Sequence, residues 1–194
     1  MVLEKIREKT KEYHDQFTGW ARDILSGTIT LEEYKKVLKI MYGFHYPHEQ
    51  RLLAFDLWDG ADQKLDLKTR IKTDLLIEDL KAIGATEEEI ENIEICTDFP
   101  PAENLGQILG SMYVIEGATI GGQIMSKKLT ELFDLKESGA LFFNSYGDRI
   151  MPMFKVFCDV LNTTGAEKDI EETIVTSSVE TYYAFNNWLS NLTK

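Results

Sequence analysis

Three histidines and a cluster of glycines hold most of the chemistry this sequence can offer. His14, His45 and His48 are its only imidazoles, and Gly117, Gly121 and Gly122 interrupt the stretch Glu116-Gly-Ala-Thr-Ile-Gly-Gly-Gln123, whose surroundings read as a long helix. A glycine in a helix interior costs up to roughly 1 kcal/mol against alanine, so three within six residues need a physical reason. Gly117 and Gly121 are four apart and share one helix face, with Gly122 adjoining. A phosphate-binding loop would need a preceding strand and, for the Walker type, a Gly-Lys-Ser/Thr ending; both are missing. Two readings remain. One is close helix–helix packing. The other is a helix kinked at its glycines, with bare backbone lying against a large flat ligand.

His14 falls on the helix face shared by Leu3, Thr10, Phe17 and Ala21 at roughly 100° per residue. It points inward or towards a cleft edge, as a hydrogen-bonded core histidine or as a metal ligand. His45 and His48 are three apart beside Glu49, a spacing that suggests zinc. The intervening Pro47 disturbs that geometry, and no third ligand follows. Cys96 and Cys158 are isolated, with no CxxC, haem-attachment or zinc spacing, which implies a reduced, cytoplasmic protein.

The elements that must position these residues are helical almost throughout. Residues 3–25 carry Ile6, Tyr13, Phe17, Trp20 and Ile24 as an amphipathic stripe, and Thr30-Leu-Glu-Glu33 reads as a capping box. Further helices are expected over 31–58 (bent at Pro47), 64–83, a short one from Thr86, then 102–135, 138–144, 147–162 and 167–190. The last has Ile170, Ile174, Ser178, Tyr182, Phe185 and Leu189 on one face. No stretch alternates with period two, and no linker or repeat divides the chain, so one all-α domain over 1–194 is expected. The formal net charge of −12 argues against nucleic-acid and anionic-membrane partners. The charged N-terminus lacks a secretory core, and no apolar run approaches a membrane span.

Two motifs together carry a resemblance. Ile6-Arg-Glu-Lys-Thr-Lys-Glu-Tyr-His14, followed by Leu109-Gly-Ser-Met-Tyr-Val-Ile-Glu-Gly-Ala-Thr-Ile-Gly-Gly-Gln123, resembles haem oxygenase. Tyr42-Gly-Phe-His-Tyr-Pro-His-Glu49 and Phe142-Phe-Asn-Ser-Tyr-Gly-Asp-Arg149, leading into Met153-Phe154, are similar to the bacterial branch found beside bacteriophytochromes. The resemblance implies a helical bundle with haem b between the first helix and a kinked, glycine-rich distal helix. His14 would ligate the iron, and Gly117, Gly121 and Gly122 would form the opposite wall because any side chain there would block oxygen or displace the porphyrin. His14, Gly117 and Gly121 would thus be the catalytic positions. The activity implied is cleavage of haem to biliverdin, carbon monoxide and ferrous iron. It uses dioxygen and electrons from an external partner such as a ferredoxin, flavodoxin or reductase.

On this resemblance Thr119 and the carbonyls near Gly117 would hold ordered water. The haem propionates would find Arg7, which lies seven residues before His14 and about 10.5 Å along the axis, with Lys11 and Lys155 as further partners and Arg149 a weaker one. Ala118 stands where mammalian relatives have an aspartate, and Asp159 where another basic contact is expected. These departures open the alternative of a haem carrier without turnover; a separate alternative is a thiaminase-like helical enzyme of the same architecture, for which Cys158 is the one candidate nucleophile.

Overall fold

The computed structural model describes residues 1–17 and 21–193, and the side chains of all of these except 16, 17, 192 and 193. Trp20 and the Phe17 side chain, both assigned to the first amphipathic stripe, lie outside the described residues. Nine α-helices appear among the described residues, with no strand. They are α1 Val2–Phe17, α2 Arg22–Ser26, α3 Leu31–Ala54, α4 Ala61–Leu65, α5 Thr73–Ala82, α6 Glu87–Glu91, α7 Leu105–Phe133, α8 Ile150–Thr164 and α9 Lys168–Leu189. None is long and apolar enough to cross a membrane.

Helix starts follow their caps. Thr30 Oγ1 accepts from the Glu33 N–H at 3.2 Å while Glu33 Oε2 accepts from the Thr30 N–H at 2.8 Å, and Thr86 with Glu89 repeats the arrangement for α6. Asn104 caps α7 by accepting from the Gln107 N–H. Each such reciprocal cap satisfies amide groups that the first turn leaves without helical partners.

Three expected spans are corrected. The 64–83 helix divides into α4, a 3-10 turn over Leu67–Arg70 and α5, because Asp66 adopts φ 51° and ends the first piece. The first expected helix, 3–25, is described as two elements, α1 up to Phe17 and α2 from Arg22, with residues 18–20 outside the described residues. The 138–144 helix reduces to a 3-10 turn over Phe142–Asn144. There Gly139 takes φ 106°, and the backbone N–H groups of Gly139, Leu141 and Phe142 all donate to the buried Asp79 carboxylate at 2.8 Å. A side chain on α5 thus holds the loop that a local helical pattern would have coiled.

Pro47 sits inside α3, and the helix continues through it. A proline has no N–H to offer the carbonyl four residues back. That carbonyl, on Gly43, instead accepts from the Cys96 N–H at 2.8 Å. Gly43 makes the crossing possible: a Cβ there would stand 2.4 Å from the Glu94 carbonyl oxygen and 2.6 Å from Trp188 Cζ2.

The long central helix α7 is buried almost continuously from Gly106 to Glu116 and packs along α9 and α8. α1 also packs along α9 and touches α8, so α1 and α7 are held against shared neighbours. At the α7–α9 contact a Cβ on Gly110 would meet the Ile174 carbonyl oxygen at 2.5 Å, and one on Gly106 would meet Thr173 at 3.1 Å. Ser178 Oγ donates to the Gly110 carbonyl across this seam.

Candidate active site: a cleft between two helices

His14 lies on α1 with its side chain 56% exposed, its Nδ1 3.9 Å from Asp15 Oδ1. The Tyr182 ring of α9 stands edge-on to it at 6.4 Å. The same Tyr182 ring contacts Tyr113 of α7 at 6.5 Å. Tyr182 therefore forms a floor between α1 and α7. Arg7 reaches over from α1 so that its guanidinium sits beside the Tyr113 hydroxyl. Burial pushes that phenol up, and the nearby Arg7 charge opposes the shift.

The opposite wall is the second half of α7. A Cβ added to Gly117 or to Gly121 would meet nothing within 4 Å. Gly106, Gly110, Gly117 and Gly121 fall on one face of the helix at roughly 100° per residue. Its first half is pressed onto α9, and its second half faces open space. Ile120 and Ile124 flank the open part, 44% and 67% exposed, an apolar margin that pattern reading did not single out.

Two expected wall residues point elsewhere. A Cβ on Gly122 would stand 2.1 Å from the Phe143 carbonyl oxygen. This glycine therefore lets the Asp79-anchored loop approach α7, which is the packing reading rather than the ligand reading. Thr119 is buried on the same far side, its hydroxyl donating to the Glu116 carbonyl at 2.7 Å. Replacing Gly121 with alanine should therefore leave folding intact or slightly favoured, as helix propensity predicts. Gly122→Ala should lower stability by about 1–3 kcal/mol through overpacking. Urea unfolding of the two variants checks this, and equal midpoints would contradict the two-sided assignment.

The expected cationic partners differ in setting. Lys11 and Arg149 are exposed. Lys155 is 75% exposed and donates to Asp159 Oδ2 at 2.6 Å, a hydrogen bond that pushes its ammonium up. The two positions are thus occupied by each other: the carboxylate that replaces a basic contact holds the remaining lysine. Cys158 is buried, and burial pushes its thiol up, the opposite of nucleophile activation.

Directly behind the glycine wall lies a buried ionic cluster with no local sequence signal. Glu116 is 1% exposed. Its carboxylate accepts from Arg70, from Lys72 Nζ at 3.2 Å and from the Tyr146 hydroxyl at 2.7 Å. Arg70 also donates to the carbonyls of Leu65 and Met153, and Lys72 to that of Arg70. Three separate stretches of chain, 65–72, Glu116 and 146–153, meet here, so only the tertiary fold assembles the cluster.

Around His45 and His48 no group of three potential metal ligands gathers among the described residues. His45 Nδ1 donates to the Met41 carbonyl at 2.8 Å, and His48 Nε2 lies 3.2 Å from Ser111 Oγ. Burial, aided by neighbouring positive charge, pushes both imidazoles down to about 3 from an ordinary 6.5. The folded state therefore refuses protons that the unfolded chain accepts below pH 6.5. Stability should fall as pH drops from 6.5 towards 3, by up to about 1.4 kcal/mol per pH unit for each histidine. Glu49 and Asp79, raised by burial, act in the opposite sense and offset part of the loss. Urea midpoints between pH 7 and 5 test this. The doubly substituted H45F/H48L protein should give a flatter profile than the parent, and parallel profiles would refute it.

An exposed imidazole on α1 and bare backbone on α7, linked through the Tyr182 ring, are groups that a flat ligand held by both faces would need. The chain belongs to the heme oxygenase family, whose profile matches residues 1–191. It is similar to the solved structure of heme oxygenase-1 from the cyanobacterium Synechocystis, determined in complex with heme: TM-score 0.77, 18% identity, covering 98% of this chain and 91% of that one. The heme oxygenase structure from Leptospira interrogans is comparable: TM-score 0.76, 18% identity, covering 98% of each chain. No curated protein matches the chain. The residues present fit a haem. The open glycine face has room for a flat ring, Ile120 and Ile124 would give it apolar cover, His14 would offer a nitrogen, and Arg7 would stand near its edge.

Proposed function

We propose that this chain cleaves haem b to biliverdin, carbon monoxide and ferrous iron, consuming dioxygen and electrons from an external redox partner. The observation that supports this most directly is the contrast along α7. Gly106 and Gly110 are filled by α9, whereas Gly117 and Gly121 have empty space where a side chain would be, on the helix that faces the His14 side of the cleft.

In this reading haem is both substrate and cofactor, its iron activating the dioxygen that attacks its own ring. His14 binds the iron through its imidazole, and α1 sets the ring's depth in the cleft. Gly117 and Gly121 keep the second face clear and present backbone in place of side chains. Gly117 and Gly121 themselves carry no acid or base, so they lend no assistance to O–O cleavage of the peroxidase kind. Arg7 offers a guanidinium to one propionate, and Lys11 adds charge a turn from His14. Lys155 can join only by leaving Asp159, so the clamp on the propionates is thinner than a fully basic edge would give. Tyr182 and Tyr113 close the floor and exclude water from beneath the ring.

A haem carrier is the second reading, favoured by the Lys155–Asp159 pairing and by Ala118. One experiment separates the two. Hemin is added to the purified protein, the Soret band is recorded, and ascorbate or a ferredoxin–reductase pair is then supplied. Turnover predicts a 1:1 complex whose Soret band decays as biliverdin absorption grows. A Soret band that persists under these conditions refutes the enzymatic reading, and no complex at all refutes both.

A further inference from the structure

Where α4, the start of α7, α8 and the start of α9 meet, the chain leaves an open cavity of about 840 Å³. That is the size of a small-molecule site, usually roughly 300–1,000 Å³. Neither His14 nor the wall glycines Gly117 and Gly121 line it. Its floor is apolar: Ala61 and Val160 are buried there, and Leu105 and Ile170 are half-buried. Leu57 and Val156 add exposed apolar surface at its mouth.

The polar groups specify what can sit there. Three carboxylates line the cavity, Asp59, Asp159 and Asp169, against one ammonium, Lys64. Among the described residues Asp159 alone of these four forms an ion pair, with Lys155, which is not part of the lining. The hydroxyls of Thr163 and Thr173 donate to the carbonyls of Asp159 and Asp169 and keep lone pairs with which to accept. Acceptors therefore outnumber donors. The helix ends do not reverse this balance. α8 finishes here with its carbonyls, while α7 begins capped by Asn104 and α9 begins with Asp169 in its first turn, so both positive ends are already answered.

We propose that this cavity binds an aliphatic diamine or polyamine, its carbon chain laid over Ala61, Leu105, Val160 and Ile170 and its ammonium groups donating to Asp59, Asp159 and Asp169. A dication balances three carboxylates against Lys64, which neither a single ammonium nor an anion does. Asp159 joins the site to the cleft. On the haem-cleaving reading above, on which this second part rests, an ammonium on Asp159 competes with Lys155 and releases it towards a propionate. The amine then tightens haem binding, and haem tightens amine binding by the same factor. Lys155 and Asp159 are 75% and 63% exposed, and exposed pairs are weak, so the factor is about two- to fivefold.

Cadaverine titrated into the haem-free protein by calorimetry, at fixed ionic strength, tests the site. Expected is saturable one-to-one binding, weaker for pentylamine, which has the same chain and a single ammonium. D59N/D169N should lose roughly tenfold or more in affinity. Asp59 sits at φ 46°, a conformation asparagine also adopts, so this variant keeps its fold. E131Q/E137Q makes the same charge change at exposed positions outside the cavity and should lose nothing. No saturation, equal affinity for pentylamine, or the same loss in both double variants overturns the site. The coupling is read separately, as the hemin dissociation constant with and without saturating cadaverine. It should tighten by the stated factor in the parent and stay constant in K155M. An unchanged constant in the parent, or no hemin complex at all, overturns the coupling, while the calorimetry decides the site by itself.

Discussion

His14→Ala should abolish haem turnover while leaving the protein folded. The side chain is more than half exposed and touches little beyond the Tyr182 edge, and alanine is the best helix former. Thermal unfolding should therefore match the parent. Biliverdin formation should fall by roughly two orders of magnitude or more, the equivalent of about 3 kcal/mol of barrier, while hemin still associates loosely with the cleft. Added imidazole, by replacing the missing nitrogen, should restore part of the rate. The separation of the two readouts makes the test sharp: a stable fold with no product places the defect in ligation. Wild-type product yield from H14A would remove the central assignment.

Glu116→Ala should have the largest effect on stability. The carboxylate is the common acceptor for Arg70, Lys72 and the Tyr146 hydroxyl, all of them buried. Its removal takes away the one carboxylate that both buried cations pair with. Breaking a buried pair by deleting one partner costs about 3–5 kcal/mol, a large share of the roughly 5–15 kcal/mol that holds a domain of this kind. For a chain of this length the melting temperature should drop by about 6–20 °C. Glu116→Gln, which keeps the shape and one acceptor, should fall between the two. A shift below about 1 °C for E116A would mean that the cations find water or other partners at no cost.

The helical class, the capped starts of α3 and α6, and the amphipathic face of α9 were all legible in the sequence, because each depends on residues close along the chain. The pairing of Thr10-x-x-x-His14 with the glycine stretch was legible only as a resemblance, since neither half is distinctive alone. The loop at 138–144 was not readable. Its amide groups are satisfied by Asp79, some sixty residues upstream, and local pattern carries no trace of that. The glycines show the same limit more finely. Spacing put Gly117, Gly121 and Gly122 together, but one residue's advance turns a helix by roughly 100°. That turn is enough to send Gly122 into the Phe143 backbone while Gly121 looks into the cleft. The Arg70–Lys72–Glu116–Tyr146 cluster likewise exists only once distant segments have met.

The glycine row along α7 divides the selection pressure on a single ridge. Near its start, enlargement at 110 runs into the α9 backbone and at 106 presses on Thr173, so folding resists it whatever the cell asks of the protein. Further along, at 117 and 121, the chain itself would tolerate bulk, and on the proposed function only the guest would forbid it. A library of variants at these four positions, sorted first for expression and then for pigment capture, should therefore split midway along the helix. Relatives that had abandoned the guest would be free to fill the later pair while keeping the earlier one bare.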